Sequence, residues 1–135
     1  MINWKQYYFK RKLLIMKGFI LLLISVIMSI ILYPLGWVYS LITFRGSFKR
    51  LGSWWFVMAI SIDQLGNVVM STMFNDILIK KYGHKFGDED QTISMVLGVN
   101  KAMGTLTPLG KLIADILNFI DKDHVEKAIE SHDDN

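Results

Sequence analysis

The feature that most limits what this chain can fold into is a run of 27 residues, 18 to 44, that carries no charge between Lys17 and Arg45. About 20 consecutive apolar residues cross a bilayer as a helix. The chain has only 135 residues and 52% of them are hydrophobic, so the run predicts a transmembrane helix in a membrane protein of one domain at most. It is too long for the apolar part of a cleaved signal peptide, and the first alanine in the chain is Ala59, so no Ala-x-Ala-like site follows it. The segment is therefore expected to stay attached as an anchor. Pro34-Leu35-Gly36 interrupts its helical ladder, which predicts a kink, or alternatively a hairpin that enters and leaves on one side. The arm after Gly36 is short for a hairpin, and this favours the kinked span.

Charge divides the chain. Residues 1–50 hold eight basic residues (Lys5, Lys10, Arg11, Lys12, Lys17, Arg45, Lys49, Arg50) and no acid, whereas the remainder holds seven basic and twelve acidic ones. A basic, aromatic segment over residues 1–17, with Trp4, Tyr7, Tyr8 and Phe9, suits an anionic lipid surface. The same cluster gives little ground for nucleic-acid binding, because its basic residues flank an apolar run and mark no helix face.

A second apolar segment, 51–79, has no Lys or Arg and reads as a helix that either spans or lies in the interface. Asp63, Asn67, Ser71 and Asn75 recur along it every four residues, which on a helix makes one polar stripe. An ionisable group at membrane depth is costly unless paired, so Asp63 is the first candidate for a functional role. Its structural reading is a hydrogen bond to Gln64, Asn67 or a neighbouring helix. If 18–44 and 52–76 both span, the flanks carry eight basic residues against three in the loop, and the positive-inside rule puts both termini in the cytoplasm.

After Lys80-Lys81 the composition turns polar, and residues 86–135 predict a small helical tail with ten acids against four lysines. Thr92–Leu97 reads as a short element closed by Gly98, and Thr107-Pro108 opens a helix to about Ile120, with a last acidic helix from about Asp123 to Ser131. Asp88, Glu89, Asp90, Thr92 and Ser94 form an acidic corner in which Asp90 or Thr92 caps the next helix. In the middle helix Leu109, Leu112, Ile113, Ile116 and Ile120 share an apolar face. That face is read as a docking face, packed near Phe74, Ile77 and Leu78. The expected fold class is thus all-α: one or two N-terminal transmembrane helices and an acidic, cytoplasmic helical tail.

Signs of chemistry are sparse. The chain has no cysteine, which removes thiolate nucleophiles, thiolate zinc sites and disulfides. The acidic corner lacks the alternating ligands of a calcium loop, and His84, His124 and His132 have no metal-ligand spacing and read as surface or cap residues. No nucleophile elbow, phosphate loop or zinc-protease pair is present. Neither a catalytic residue, a cofactor, a metal nor a small-molecule substrate is expected.

Several blocks, taken together, carry a likeness: Asp63-Gln64-Leu65-Gly66-Asn67, Phe86 to Ser94 with its Thr92-Ile93-Ser94, Leu97-Gly98, Asp123-His124 and Lys127-Ala128-Ile129. Over about residues 60–130 the chain resembles a family of small membrane proteins of tailed bacteriophages and prophages. It departs from that family's pattern at Gln91, where a Glu is usual, at Val96, where an Arg is frequent, and at Val125, where a Cys often follows the His. The resemblance implies a phage or prophage origin and a place in the host's inner membrane. The function expected is that of a membrane-anchored accessory or interaction protein, whose partners are the lipid bilayer and itself or another membrane protein. A holin-like lysis factor, or a virion- or ejection-associated membrane protein, is the alternative.

Overall fold

A computed structural model describes residues 4–133, with side chains from 5 to 130. The described residues form six helices: α1 (Trp4–Thr43), α2 (Phe48–Val69), α3 (Ser71–Ile77), α4 (Ile93–Ala102), α5 (Pro108–Ile120) and α6 (His124–Asp133). No strand accompanies them, apart from an isolated antiparallel bridge between Ile79 and Leu106. The all-α expectation therefore holds. The chain divides into two compact units, Met1–Leu51 and Gly52–Asn135.

The first unit is essentially α1. The helix runs unbroken through Pro34, so the hairpin alternative is not formed, and the basic residues from Lys5 to Lys17 are its first turns and not a separate segment. Its side-chain hydroxyls bond to carbonyls one turn back, Ser25 Oγ to Leu21 O at 2.9 Å, Ser29 Oγ to Ser25 O at 2.7 Å and Thr43 Oγ1 to Tyr39 O at 2.8 Å. These three hydroxyls are thereby satisfied within the helix, as lipid requires of polar groups at membrane depth. Among the described residues α1 is the one helix long and apolar enough by itself to cross a membrane, whereas α2 and α3 meet the same test only as a pair bent by 73°.

The second unit is built on a core of Leu78, Ile79, Phe86, Val96, Leu97, Leu106, Ala114 and Val125, with Phe74, Ile93, Ile113 and Leu117 packed against it. Burying an aliphatic side chain of this kind contributes roughly 1.5–3 kcal/mol before entropy is counted. α4 is the central helix, with α5 and α6 packed on it. Gly98 was expected to close this helix, yet α4 continues to Ala102. The glycine serves close approach instead: a Cβ there would lie 2.2 Å from the Val125 carbonyl oxygen on α6. The stop comes later, at Gly104, whose φ of +67° turns the chain.

Thr107 and Pro108 open α5 as expected. The Thr107 hydroxyl accepts from Gly110 N at 3.2 Å and donates to Ile77 O at 2.7 Å, while Thr107 N donates to Leu78 O at 2.9 Å. The predicted apolar face, however, divides in two. Ile113 and Leu117 pack on the core beside the buried Gly110 and Ala114, but Leu109, Leu112, Ile116 and Ile120 are exposed, and so is Phe119 at 91%. At roughly 100° per residue the apolar arc of α5 covers more than half its circumference. The small residues let one half approach the Leu78 backbone, where a Cβ on Gly110 would meet the carbonyl oxygen at 2.2 Å. The other half faces outward. Packing near Leu78 is thus made by Thr107 and Gly110 and not by Leu112 or Ile116.

Candidate functional site

The expected single helix over 51–79 is broken at Met70, and the bend turns α3 so that Phe74 meets Phe86 edge to face at 5.3 Å. Across this bend the polar stripe keeps to one side and meets residues 86–94, an irregular segment and the first residues of α4, running antiparallel to it. Asp63 Oδ1 accepts from Ile93 N at 3.2 Å, and its Oδ2 accepts from Ser94 N at 3.4 Å and Ser94 Oγ at 3.0 Å. Gln64 Nε2 donates to Asp90 O at 3.1 Å. Asn67, 0% exposed, donates to Asp88 O and Gln91 O at 2.8 Å each and accepts from Gly87 N at 3.1 Å. Asn75 closes the seam by taking both the N–H and the carbonyl of Phe86, at 2.9 and 3.0 Å. Gly87 lies against Ser71 with a φ of +122°, and a Cβ added to it would come within 3.1 Å of the Ser71 Cβ, both of which favour glycine.

The stripe and the acidic corner, two separate features in the sequence, are therefore one structure. In two places the bonds select among alternatives that the sequence leaves open. Asp63 does not bond to Gln64 or Asn67 but caps α4 from another helix, where a carboxylate favours the positive helix end. Of the corner residues, Thr92 caps as predicted, its Oγ1 accepting from Met95 N at 3.0 Å. Asp90 does not, and contributes its carbonyl to Gln64. Asp88 Oδ1 accepts from Asp90 N at 3.1 Å in a local turn, and Glu89 is exposed.

Two further groups bring in Asn100, which the sequence does not single out, and His84 and His124, which it reads only as surface or cap residues. Asn100, buried on α4, donates to His84 O and Val96 O at 2.8 Å each and accepts from His84 N at 2.9 Å and Thr105 Oγ1 at 2.6 Å. His84 Nε2 lies 2.8 Å from Gln91 Oε1. The only signal for Asn100 was an amide within an apolar helix.

The second group extends the seam to α6. His124 Nε2 lies 3.2 Å from Ser94 Oγ, and its Nδ1 lies 3.1 Å from Asp121 Oδ2. A chain of carboxylate, hydroxyl, imidazole and carboxylate thus runs from Asp63 to Asp121. Bonding to His124 first, then to Lys127, holds the Asp121 carboxyl below its ordinary value. The order Ser94, His124, Asp121 is that of a nucleophilic triad, but the resources of a nucleophile are missing. Ser94 is only 6% exposed and its hydroxyl proton is directed to Asp63. With its one proton donated to Asp63, the hydroxyl can only accept from His124. The arrangement ties α2, α4 and α6 together.

Nearby, Lys101 and Glu126 pair at 2.8 Å between α4 and α6, and Asn118 Nδ2 donates to the other Glu126 oxygen at 2.8 Å. The Lys101 bond, followed by that from Asn118, lowers the Glu126 carboxyl, while Glu126 raises the Lys101 ammonium. Among the described residues no group of three or more His, Asp or Glu side chains is placed to hold a metal ion. Val96 and Val125, two of the three positions at which the chain departs from the pattern of that resemblance, are fully buried in the core. Six of the residues on which that resemblance is drawn, Asp63, Gln64, Asn67, Thr92, Ser94 and His124, are members of the bonded seam or its α4 cap. Comparison with family models, with curated proteins and with solved structures finds no match to the chain.

Proposed function

We propose that this chain is a membrane-anchored interaction protein, of the small accessory type carried by phages and prophages, in the inner membrane of a bacterial host. The observation that carries the reading is a contrast of use. The polar side chains that chemistry would need are engaged in holding the second unit together, whereas large apolar side chains on α5 are turned to solvent. The same engagement weighs against a holin-like role, since the stripe that would line a lesion is bonded to the protein's own 86–94 segment.

The seam also bears on topology. Asp88, Glu89 and Asp90 are exposed and sit on a segment bonded to Gln64 and Asn67, so α2 from residue 63 onward belongs outside hydrocarbon. Residues 52–62 would extend about 17 Å, against roughly 30 Å of hydrocarbon. On this reading α1 is the one full span and the start of α2 enters only shallowly. Five basic residues precede the run, Lys5 to Lys17, and three follow it, Arg45, Lys49 and Arg50. The positive-inside rule then keeps the N-terminus in the cytoplasm and sends the second unit across, in place of the two-span arrangement with both termini inside.

The test is alkaline extraction of host membranes carrying the full chain, with a C-terminal alkaline phosphatase fusion assayed in parallel. Retention in the membrane pellet with an active phosphatase is expected. Release into the alkaline supernatant would overturn the anchored reading, and retention with an inactive phosphatase would restore two spans.

A further inference from the structure

The outward face of α5 consists of Leu109, Leu112, Ile116, Phe119 and Ile120, all exposed, on a helix of 13 residues. At roughly 100° per residue these five occupy a stripe about 100° wide. The next arc holds Gly110, Ile113, Ala114 and Leu117 and is turned to the core, and the remaining arc carries Lys111, Asp115 and Asn118. Three arcs, core, water and something apolar, therefore divide one short helix.

We infer that the third environment is the interfacial layer of a bilayer, and that α5 lies in one leaflet as a second, monotopic contact of the anchored protein. This rests on the anchored reading given above. Three observations select lipid over a protein partner. The stripe is about 20 Å long and 10 Å wide, on the order of 200 Å², far below the roughly 800 Å² per partner of a stable protein interface. It carries no small residue through which a second helix could approach, Gly110 and Ala114 being turned inward. The chain also supplies its own candidate span, and a tether of that kind raises the local concentration of bilayer around the second unit, so a small apolar face suffices. Lys111, on the polar arc, and Lys122, just past the end of the helix, are exposed, with stems long enough to carry their ammonium groups to the headgroups.

The absence of cysteine in the chain makes the inference directly measurable. Single cysteines at Leu112, Ile116, Phe119 or Asp115 are spin-labelled in the full chain and reconstituted into vesicles of phosphatidylcholine and phosphatidylglycerol. Collision of each label with dissolved oxygen and with a neutral nickel chelate is then compared. The expected result is a several-fold preference for oxygen at 112, 116 and 119, and a preference for nickel at 115. Nickel preference at all four sites would overturn the inference and leave the face in water. Exclusion of both reagents, with spin–spin broadening at 112 and 116, would overturn it in favour of a second copy. Vesicle flotation of the same samples separates the two claims. A chain that fails to float removes the anchored reading itself, whereas a chain that floats with nickel preference at 112, 116 and 119 removes only the lipid contact.

Discussion

Within residues 52–133 polarity and exposure are exchanged between two places. Asn67 and Asn100 are fully buried, while Phe119 on α5 is 91% exposed. The first oddity has a cause inside the fold. Residues 80–92 form no helix, yet Phe86 is buried in the core, so the backbone around it needs partners that neither water nor a regular ladder provides. The amides of Asn67, Asn75 and Asn100 supply them in pairs, and no buried side-chain nitrogen or oxygen among the described residues is left unpartnered. The second oddity has no counterpart within the fold. Removing Leu112 or Phe119 would deprive the core of nothing. The comparison teaches which residues serve folding and which are left for a surrounding phase or partner.

The strongest way to break the comparison is at Asn67. Asn67→Leu would leave Gly87 N–H and the carbonyls of Asp88 and Gln91 without their partners. An unsatisfied buried group costs about 1–3 kcal/mol, and water can reach part of this segment, so a loss of about 3–4 kcal/mol is expected in chemical denaturation of the full chain in detergent. A loss below about 1 kcal/mol would mean that the seam is incidental to folding.

A smaller effect is expected at Gly98. The Cβ of Gly98→Ala would meet the Val125 carbonyl at 2.2 Å, and overpacking of this kind costs about 1–3 kcal/mol. Separation of α6 from α4 should appear as selective loss of amide protection in α6. Unchanged protection would show that α6 can shift freely, and would weaken the link from Ser94 to His124.

The least effect belongs to Lys101 and Glu126, a pair with side chains 37% and 45% exposed, worth about 0–1 kcal/mol. The Glu126 carboxyl is lowered in the folded chain, so its contribution is present above the ordinary value of 4.5 and is lost as pH falls through the folded value. Lys101 is raised, so its contribution is present below 10.5 and is lost as pH rises past that. Glu126→Gln should therefore cost little at neutral pH and remove only this part of the acid dependence. A large neutral-pH loss would place Glu126 among the folding residues.

Much of this was legible in the sequence for physical reasons. The charge-free run marked the apolar part of α1 from residue 18 onward, the Thr107-Pro108 start gave the first residue of α5, and the four-residue period found the polar stripe. The sequence could not say what the stripe faces, because apart from the Ser94 hydroxyl its partner is backbone of residues 86–94, and backbone carries no residue signature. Nor could it divide the apolar face of α5. Hydropathy singles out Leu112 and Ile116 more strongly than Gly110 and Ala114, yet close approach to Leu78 depends on the small pair. Gly98 was read as a helix stop for the same reason, since a close approach and a chain turn both call for glycine.

The most direct test of the account places one charge on each side of a single helix. Ala114 is fully buried and Ile116, two residues on, is exposed. In limited proteolysis of the full chain in detergent, Ile116→Asp is predicted to leave the second unit as resistant as the unaltered protein, whereas Ala114→Asp, which buries an unpaired charge, is predicted to open it to cleavage. Equal cleavage of the two variants, or greater cleavage of Ile116→Asp, would contradict the division of α5 on which the account stands.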